Sequence, residues 1–341
     1  MKRITAILTA AAVFLLTGCA GGVHLNFSGV SPFRNIRDGG KIAAIDSAVA
    51  DFQNESGVTG LSVGVIDGKE TRFVSAGGMD EHTKVEIGTM TQMFTGMLIG
   101  NFEANKWIDR QQVVSDWFQS PARVPVWMPV DAAEGESGTA VQVWQLATHT
   151  SGLGAFDTFG KAYATGGMLH NQLDGAALAF EPGTQQADST LGYALLCETL
   201  RQCYNMNAKY TNLVNNQIIV KMDLQNSAFV REDALAGYDG YQSTAYDLTK
   251  VVGYCTGALV ADEMLTGNIA AALEEVEGLG RSLAFDMDTE DGRTVYYKTG
   301  SGDGTVSCIA FIPELQTGVA INAAGSADLM PLARALLEAV R

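Results

Sequence analysis

Positive charge is in short supply: 22 Lys and Arg stand against 38 Asp and Glu, a formal net charge of −16. A chain that neutralises phosphates needs the opposite balance, so nucleic acid is excluded as a partner. Histidine is scarce as well. His24, His82, His149 and His170 stand far apart, and no CxxC or HExxH spacing occurs, so nothing argues for a metal, and no cofactor is expected. Charged residues make up only 18% and hydrophobic ones 47%, which excludes a disordered chain and supplies a real core for 341 residues. Internal repeats and low-complexity tracts are missing too.

Long apolar runs are also rare, and the prominent one opens the chain. "MKRITAILTAAAVFLLTGCAGG" runs from Lys2 and Arg3 through an apolar segment to "LTGC", Leu16 to Cys19. This is the pattern of an export signal, too short for a spanning helix. The tetrad resembles a bacterial lipoprotein box. That resemblance implies removal of residues 1–18, lipid on Cys19, and an extracytoplasmic, membrane-anchored protein; several acyl chains on one residue would hold stably where one would not. Loss of Lys2 and Arg3 takes the net charge from −16 to −18. Four other cysteines remain, Cys197, Cys203, Cys255 and Cys308. Export permits disulfides without requiring them, and Cys197 and Cys203, six apart, point to different faces of a helix, so buried free thiols are the expectation.

Residues 19–40 are rich in Gly and Ser without a sustained period, which reads as a tether, with the domain running from 41 to 341. "KIAAIDSAVADF" places Ile42, Ile45, Val49 and Phe52 on one helix face. Two β-rich runs then meet at Asp67-Gly68, a hairpin signal. From Thr89 the pattern turns helical, with Met90, Met93, Phe94, Met97 and Leu98 at helical spacing, and stays helix-rich to about 259. Strands return in "TVYYKTG", "TVSCIAFIP" and "TGVAINAAG" before a closing helix. The predicted class is α+β: an antiparallel sheet flanked by helices (about 41–88 and 290–341) with an inserted helical lobe (about 89–259).

Five segments in order resemble the serine β-lactamase and penicillin-binding protein superfamily, in its class C β-lactamase and esterase-like branch. They are "VEIGTMTQMFT", "VWQLATHTSGL", "PGT" with "GYALL", "GYQSTAYDLTK" and "YKTGS". Active members of such a family use a serine nucleophile, a lysine one helical turn later and a tyrosine from the helical lobe. At those positions this chain has Thr89, Gln92 and Asp188, the last in "DST" where the family has Y-x-N, so that Thr190 takes the asparagine position. Gln92 has no accessible pKa for base work. Thr89 keeps a hydroxyl whose extra methyl stiffens χ1 and crowds the approach to a carbonyl. An Asp188 paired with Lys298 would be a weak base.

The resemblance also implies what is kept. Lys298, Thr299 and Gly300 would present a cation and a hydroxyl to a carboxylate on a small-molecule or peptide ligand, and the backbone N–H groups of Thr89 and Ser301 would form an oxyanion hole. The same residues have structural readings. Thr89-x-x-Gln92 is a helix capping box. His149, followed by Gly152, ends a helix and packs locally. Asp188 and Lys298 form a compensating ion pair, and Met90, Met93 and Met97 are core. The expectation is a β-lactamase-related lipoprotein with impaired or no catalysis and a retained cleft; the alternative is a hydrolase or acyl transferase working through Thr89, with Asp188 and Lys298 as proton relay. No protein partner is indicated.

Overall fold

The computed structural model describes residues 31–118, 124–130, 132, 136–158, 165–276 and 278–341. The signal segment and Cys19 lie outside them. In chain order the elements begin with β1 (Arg34–Asn35), α1 (Gly39–Ser56), β2 (Gly60–Asp67), β3 (Glu70–Ala76), β4 (Val85–Glu86) and α2 (Gln92–Ala104). Next come β5 (Val126–Trp127), β6 (Thr139–Ala140), α3 (Val143–Ala147), α4 (Gly166–Gly175), α5 (Thr190–Tyr204) and α6 (Tyr210–Val214). Then follow β7 (Ala228–Phe229), α7 (Ala236–Asp239), β8 (Tyr241–Ser243), α8 (Ala245–Cys255) and α9 (Glu263–Leu273). The chain closes with β9 (Glu275–Val276), β10 (Arg281–Ser282), β11 (Asp286–Glu290), β12 (Arg293–Gly302), β13 (Thr305–Ile312), β14 (Thr317–Ala324) and α10 (Met330–Ala339).

Nine strands form one sheet in the order β1-β3-β2-β14-β13-β12-β11-β10-β9, antiparallel except for β1 on β3. The sheet therefore takes up 275–290, upstream of the return expected near 290. Asp67 pairs with Glu70 across a two-residue turn in which Gly68 has φ 58, the conformation a tight hairpin asks of glycine. Side-chain alternation splits the central strands between two cores. Cys308, Ala310 and Ile312 of β13 join α1 and α10 on one face, while Ile309 and Phe311 join the helical lobe on the other. Strands covered on both faces read as near-continuous apolar runs, as "CIAFI" does. Ile45 and Val49 of α1 are buried, and so are Met93 and Met97 of α2 and Met90 just before it.

The tether reading fails at its end. Phe33 packs edge-on to the rings of Phe73 and Tyr246, Ile36 is buried and donates its N–H to Thr71, and Asp38 caps α1 by accepting from Gly40 and Lys41. These residues belong to the domain, because two apolar side chains and a cap outweigh the glycine content around them. The four cysteines in the described residues are unpaired; Cys197, Cys255 and Cys308 are buried and Cys203 half-buried.

Candidate active site

Thr89 sits in a single 3₁₀ turn, Gly88–Thr91, that feeds directly into α2 at Gln92. The turn is pressed against β12 backbone to backbone. Gly88 has φ 51, and a methyl built on it would meet the backbone of Ser301; one built on Gly300 would meet the Ile87 carbonyl and the Met90 amide. Two glycines 212 positions apart thus permit the approach. β11 stops at Asp286 opposite Tyr297, so residues 298–302 of β12 pair with β13 alone and turn their other edge toward the 3₁₀ turn.

The Thr89 hydroxyl donates across this edge to the Thr299 carbonyl, 3.4 Å away. Alternation of an antiparallel ladder puts the backbone groups of Ser301 on the same edge as those of Thr299. The expected capping box of Thr89 and Gln92 is not formed. Neither Ile87 nor Thr91, the residues preceding the turn and the helix, makes a side-chain cap, and the Thr91 hydroxyl donates to the Gly88 carbonyl at 2.7 Å. The tight turn replaces the extended entry that a capping box requires.

Gln92, 3% exposed, faces His149, with Oε1 3.4 Å from Nε2. His149 follows α3 at φ 60 and stacks on Tyr193, ring centroids 4.9 Å apart. It does end a helix, as expected, yet it also stands in the site. Its Nδ1 accepts the Ser189 N–H at 3.1 Å, which requires a lone pair there and so puts the ring proton on Nε2. Nε2 lies 3.6 Å from the Asp188 carboxylate, and the other Asp188 oxygen accepts from the Tyr238 hydroxyl at 2.6 Å. Burial drives the His149 pKa down to about 4, with Asp188 opposing and Lys298 and Arg281 adding to the depression. At neutral pH the ring is uncharged with both nitrogens engaged.

The expected Asp188–Lys298 ion pair is not formed. Lys298, buried, has its nearest carboxylate in Asp286 at 3.8 Å, and Asp286 is itself bonded by Arg281, which also donates to the Thr148 carbonyl at 3.2 Å. Asp188, 63% exposed, has turned to His149 and Tyr238. Burial lowers the Lys298 pKa to about 8; Asp286 pulls it back up and Arg281 lowers it further. Thr190 is likewise committed: its hydroxyl accepts the Phe156 N–H at 2.7 Å, while Ser189 caps α5 by accepting from Gly192 and donates to the Gly154 carbonyl. Sequence reading did not find Arg281, Asp286 or Tyr238, since no spacing signal marks them and only folding brings them to "HTSGL" and "YKTGS".

A profile of the family described as Beta-lactamase matches residues 45–340. The chain belongs to the β-lactamase family. Its relatives include the D-alanyl-D-alanine-carboxypeptidase/endopeptidase AmpH of Escherichia coli K12, 24% identical with 77% of this chain and 78% of that protein covered; the protein of that name from strain O157:H7 matches equally. Among solved structures, a class C β-lactamase superposes with TM-score 0.74 at 18% identity, covering 90% of this chain and 98% of the other. A β-lactamase/D-alanine carboxypeptidase from Pseudomonas syringae does so with TM-score 0.73 at 17% identity, covering 87% and 98%. The β-lactamase-family domain thus has the serine-hydrolase-like fold, a mixed sheet flanked by helices.

For this domain, a double-mutant cycle separates the two carboxylates. Asp188→Asn and Lys298→Met are expected to add within about 0.5 kcal/mol in urea unfolding, whereas Asp286→Asn and Lys298→Met should couple by about 1 kcal/mol or more. The reverse pattern would restore Asp188 as the partner of Lys298.

Among the described residues no group of three His, Cys, Asp or Glu is placed to hold a metal ion, and no helix is long and apolar enough to cross a membrane.

Proposed function

We propose that this is an extracytoplasmic, lipid-anchored member of the β-lactamase family that binds a carboxylate-bearing small molecule or peptide in the cleft and turns it over little or not at all. One observation carries the reading: the Thr89 hydroxyl spends its proton on a backbone carbonyl, and the side chain one turn on is Gln92, bonded to a neutral histidine. A serine or threonine hydroxyl needs a base in contact to attack a carbonyl, and loss of a base costs about 10² to 10⁴ in rate. Binding needs less. The buried Lys298 ammonium and the exposed Thr299 and Ser301 that follow it on β12 offer a cation and hydroxyls to a ligand carboxylate. The carboxypeptidase names among the relatives support a peptide with a free carboxylate as the ligand class.

A second reading rests on Lys298. With its pKa near 8 it holds a minor neutral fraction at pH 7, and in that form it could serve as base for Thr89 in hydrolysis or acyl transfer. One experiment divides the two. Incubation with benzylpenicillin, a nitrophenyl ester and a fluorophosphonate probe, followed by intact-mass measurement, is expected to leave the protein unmodified. A stoichiometric adduct that maps to Thr89 and disappears in Thr89→Val would establish the hydrolase.

The anchor has its own test. Cys19→Ser is expected to shift the protein from the membrane to the soluble extract and to lose the mass of the acyl groups; unchanged partitioning and mass would refute lipidation at Cys19.

A further inference from the structure

The helical lobe contains a cavity of about 800 Å³ that shares no residue with the cleft. α5 joins the two. Its first turn, at Ser189 and Thr190, borders the cleft, while Ala194, Cys197, Glu198 and Arg201 line the cavity up to eleven residues on, roughly 16 Å along the helix axis. The floor is apolar, with Leu169, Ala194 and Tyr210 among its residues. The walls carry three ion pairs: Arg201 with Glu198, Lys209 with Glu232, and Arg231 with Asp233. A concave, largely apolar space of this size with a few polar groups converging on it is the form ligand sites take.

The charges choose the ligand. Each lining cation is already paired, Arg231 with Asp239 of α7 as well as with Asp233, so a ligand of one charge alone brings into a partly desolvated space a charge that no free partner on the wall meets, which is costly. A zwitterion brings both charges: it adds a second partner to Arg201 and takes Glu232 from Lys209, whose exposed ammonium returns to water. Arg201 is suited to the carboxylate end: Nε and Nη2 bond Glu198, and Nη1 remains on the free side of the guanidinium fork. The Lys209–Glu232 pair is about 60% exposed on both sides, so Glu232 can turn to an ammonium at small cost.

A chain of contacts runs from the cavity toward the cleft. The Tyr210 hydroxyl lies 2.7 Å from Thr95 Oγ1 of α2, and Thr95 donates to the Gly237 carbonyl at 2.9 Å. A methyl built on Gly237 would meet Cys197 Sγ and the Tyr210 ring, so α7 rests directly on two cavity residues. The next residue, Tyr238, holds Asp188.

We propose that this cavity is a second ligand site, taking a small zwitterion of the short-peptide type, its carboxylate on Arg201, its ammonium on Glu232 and its apolar body on Leu169, Ala194 and Tyr210. The proposal is independent of what the cleft does. The probes are the dipeptide Ala-Leu, its N-acetyl derivative and its C-terminal amide, titrated into the mature chain with methyl-labelled alanine. Ala-Leu is expected to shift the methyl signals of Ala194, Ala208 and Ala234 with saturation, and each blocked derivative to bind at least about tenfold more weakly. Ala234→Trp, at a half-buried wall position, and Arg201→Gln should each weaken Ala-Leu at least tenfold, while Lys298→Met in the cleft leaves it unchanged. Absence of saturable shifts at these alanines in the unmodified protein at millimolar Ala-Leu would overturn the site whether or not the variants fold. Equal binding of the blocked derivatives would overturn the zwitterion assignment, and loss of binding in Lys298→Met would assign the peptide to the cleft.

Discussion

Thr89→Ser, Gln92→Lys, Asp188→Tyr and Thr190→Asn introduced together are expected to raise hydrolysis of a nitrophenyl ester and a chromogenic cephalosporin by at least about 10²-fold over the unmodified protein, and Thr89→Ser alone by little. The family's chemistry calls for a serine, a lysine and a tyrosine that pass one proton, and the backbone that would hold them is intact: the 3₁₀ turn is locked on β12 by Gly88 and Gly300 whatever residue stands at 89. The present neighbours help. His149 points Nε2–H at position 92, and a donor there favours the neutral amine of a lysine, the form that acts as base. An asparagine at 190 can accept the Phe156 N–H through its side-chain oxygen, as the Thr190 hydroxyl does now. Groups that work as a unit are strongly non-additive, so the single and paired variants should stay near the baseline. Circular dichroism and thermal melts establish folding of each. A folded quadruple variant without turnover would mean that the cleft has diverged beyond these four positions, and high turnover by Thr89→Ser alone would mean that a base is already in place.

Between pH 7 and pH 4 the protein is expected to lose about 3 kcal/mol of stability through His149 alone. The ring titrates at about 4 in the fold against 6.5 in the unfolded chain, because burial penalises the imidazolium; Asp188 and Asp286 oppose that shift, and Lys298 and Arg281 add to it. Well above pH 6.5 both states carry a neutral ring and His149 contributes no pH dependence. As the pH falls from 6.5 to 4, the unfolded chain takes up a proton that the folded one refuses, so stability falls with it. Protonation at Nδ1 would also set a donor against the Ser189 N–H and break the tie between "HTS" and the start of α5. Urea unfolding at pH 7 and pH 4 measures the loss, with His149→Asn as reference, since asparagine tolerates the positive φ at this position. The variant should lose about 3 kcal/mol less than the unmodified protein over the same interval, whatever its stability at pH 7. Equal losses would show that the ring is solvated or already charged.

The sequence by itself determined the class of fold, because its signals are local and mutually consistent. Period-2 runs ended by glycine turns, a 3.6-period helix from Ile42 and five motifs in order leave one architecture. It determined as well that Thr89 and Gln92 are neighbours on one helix entry, since positions three apart cannot be otherwise. The limits of the domain were less legible: residues 33–40 look like linker by composition, and only the contacts of Phe33 and Ile36 with a strand some 35 residues on draw them into the fold.

Electrostatic partnership was decided by tertiary structure alone. Asp188 and Lys298 look like a pair when the chain is read as a list of substituted positions, but an ion pair depends on where β10 and β11 lie, and those strands set Asp286 and Arg281 beside Lys298 and leave Asp188 to His149 and Tyr238. The same holds for the state of His149. A histidine in "HTSGL" keeps its ordinary pKa of 6.5 until burial, an amide donor at Nδ1 and two nearby cations are fixed in space, and each of these comes from a segment at least 40 residues away or from closure of the core.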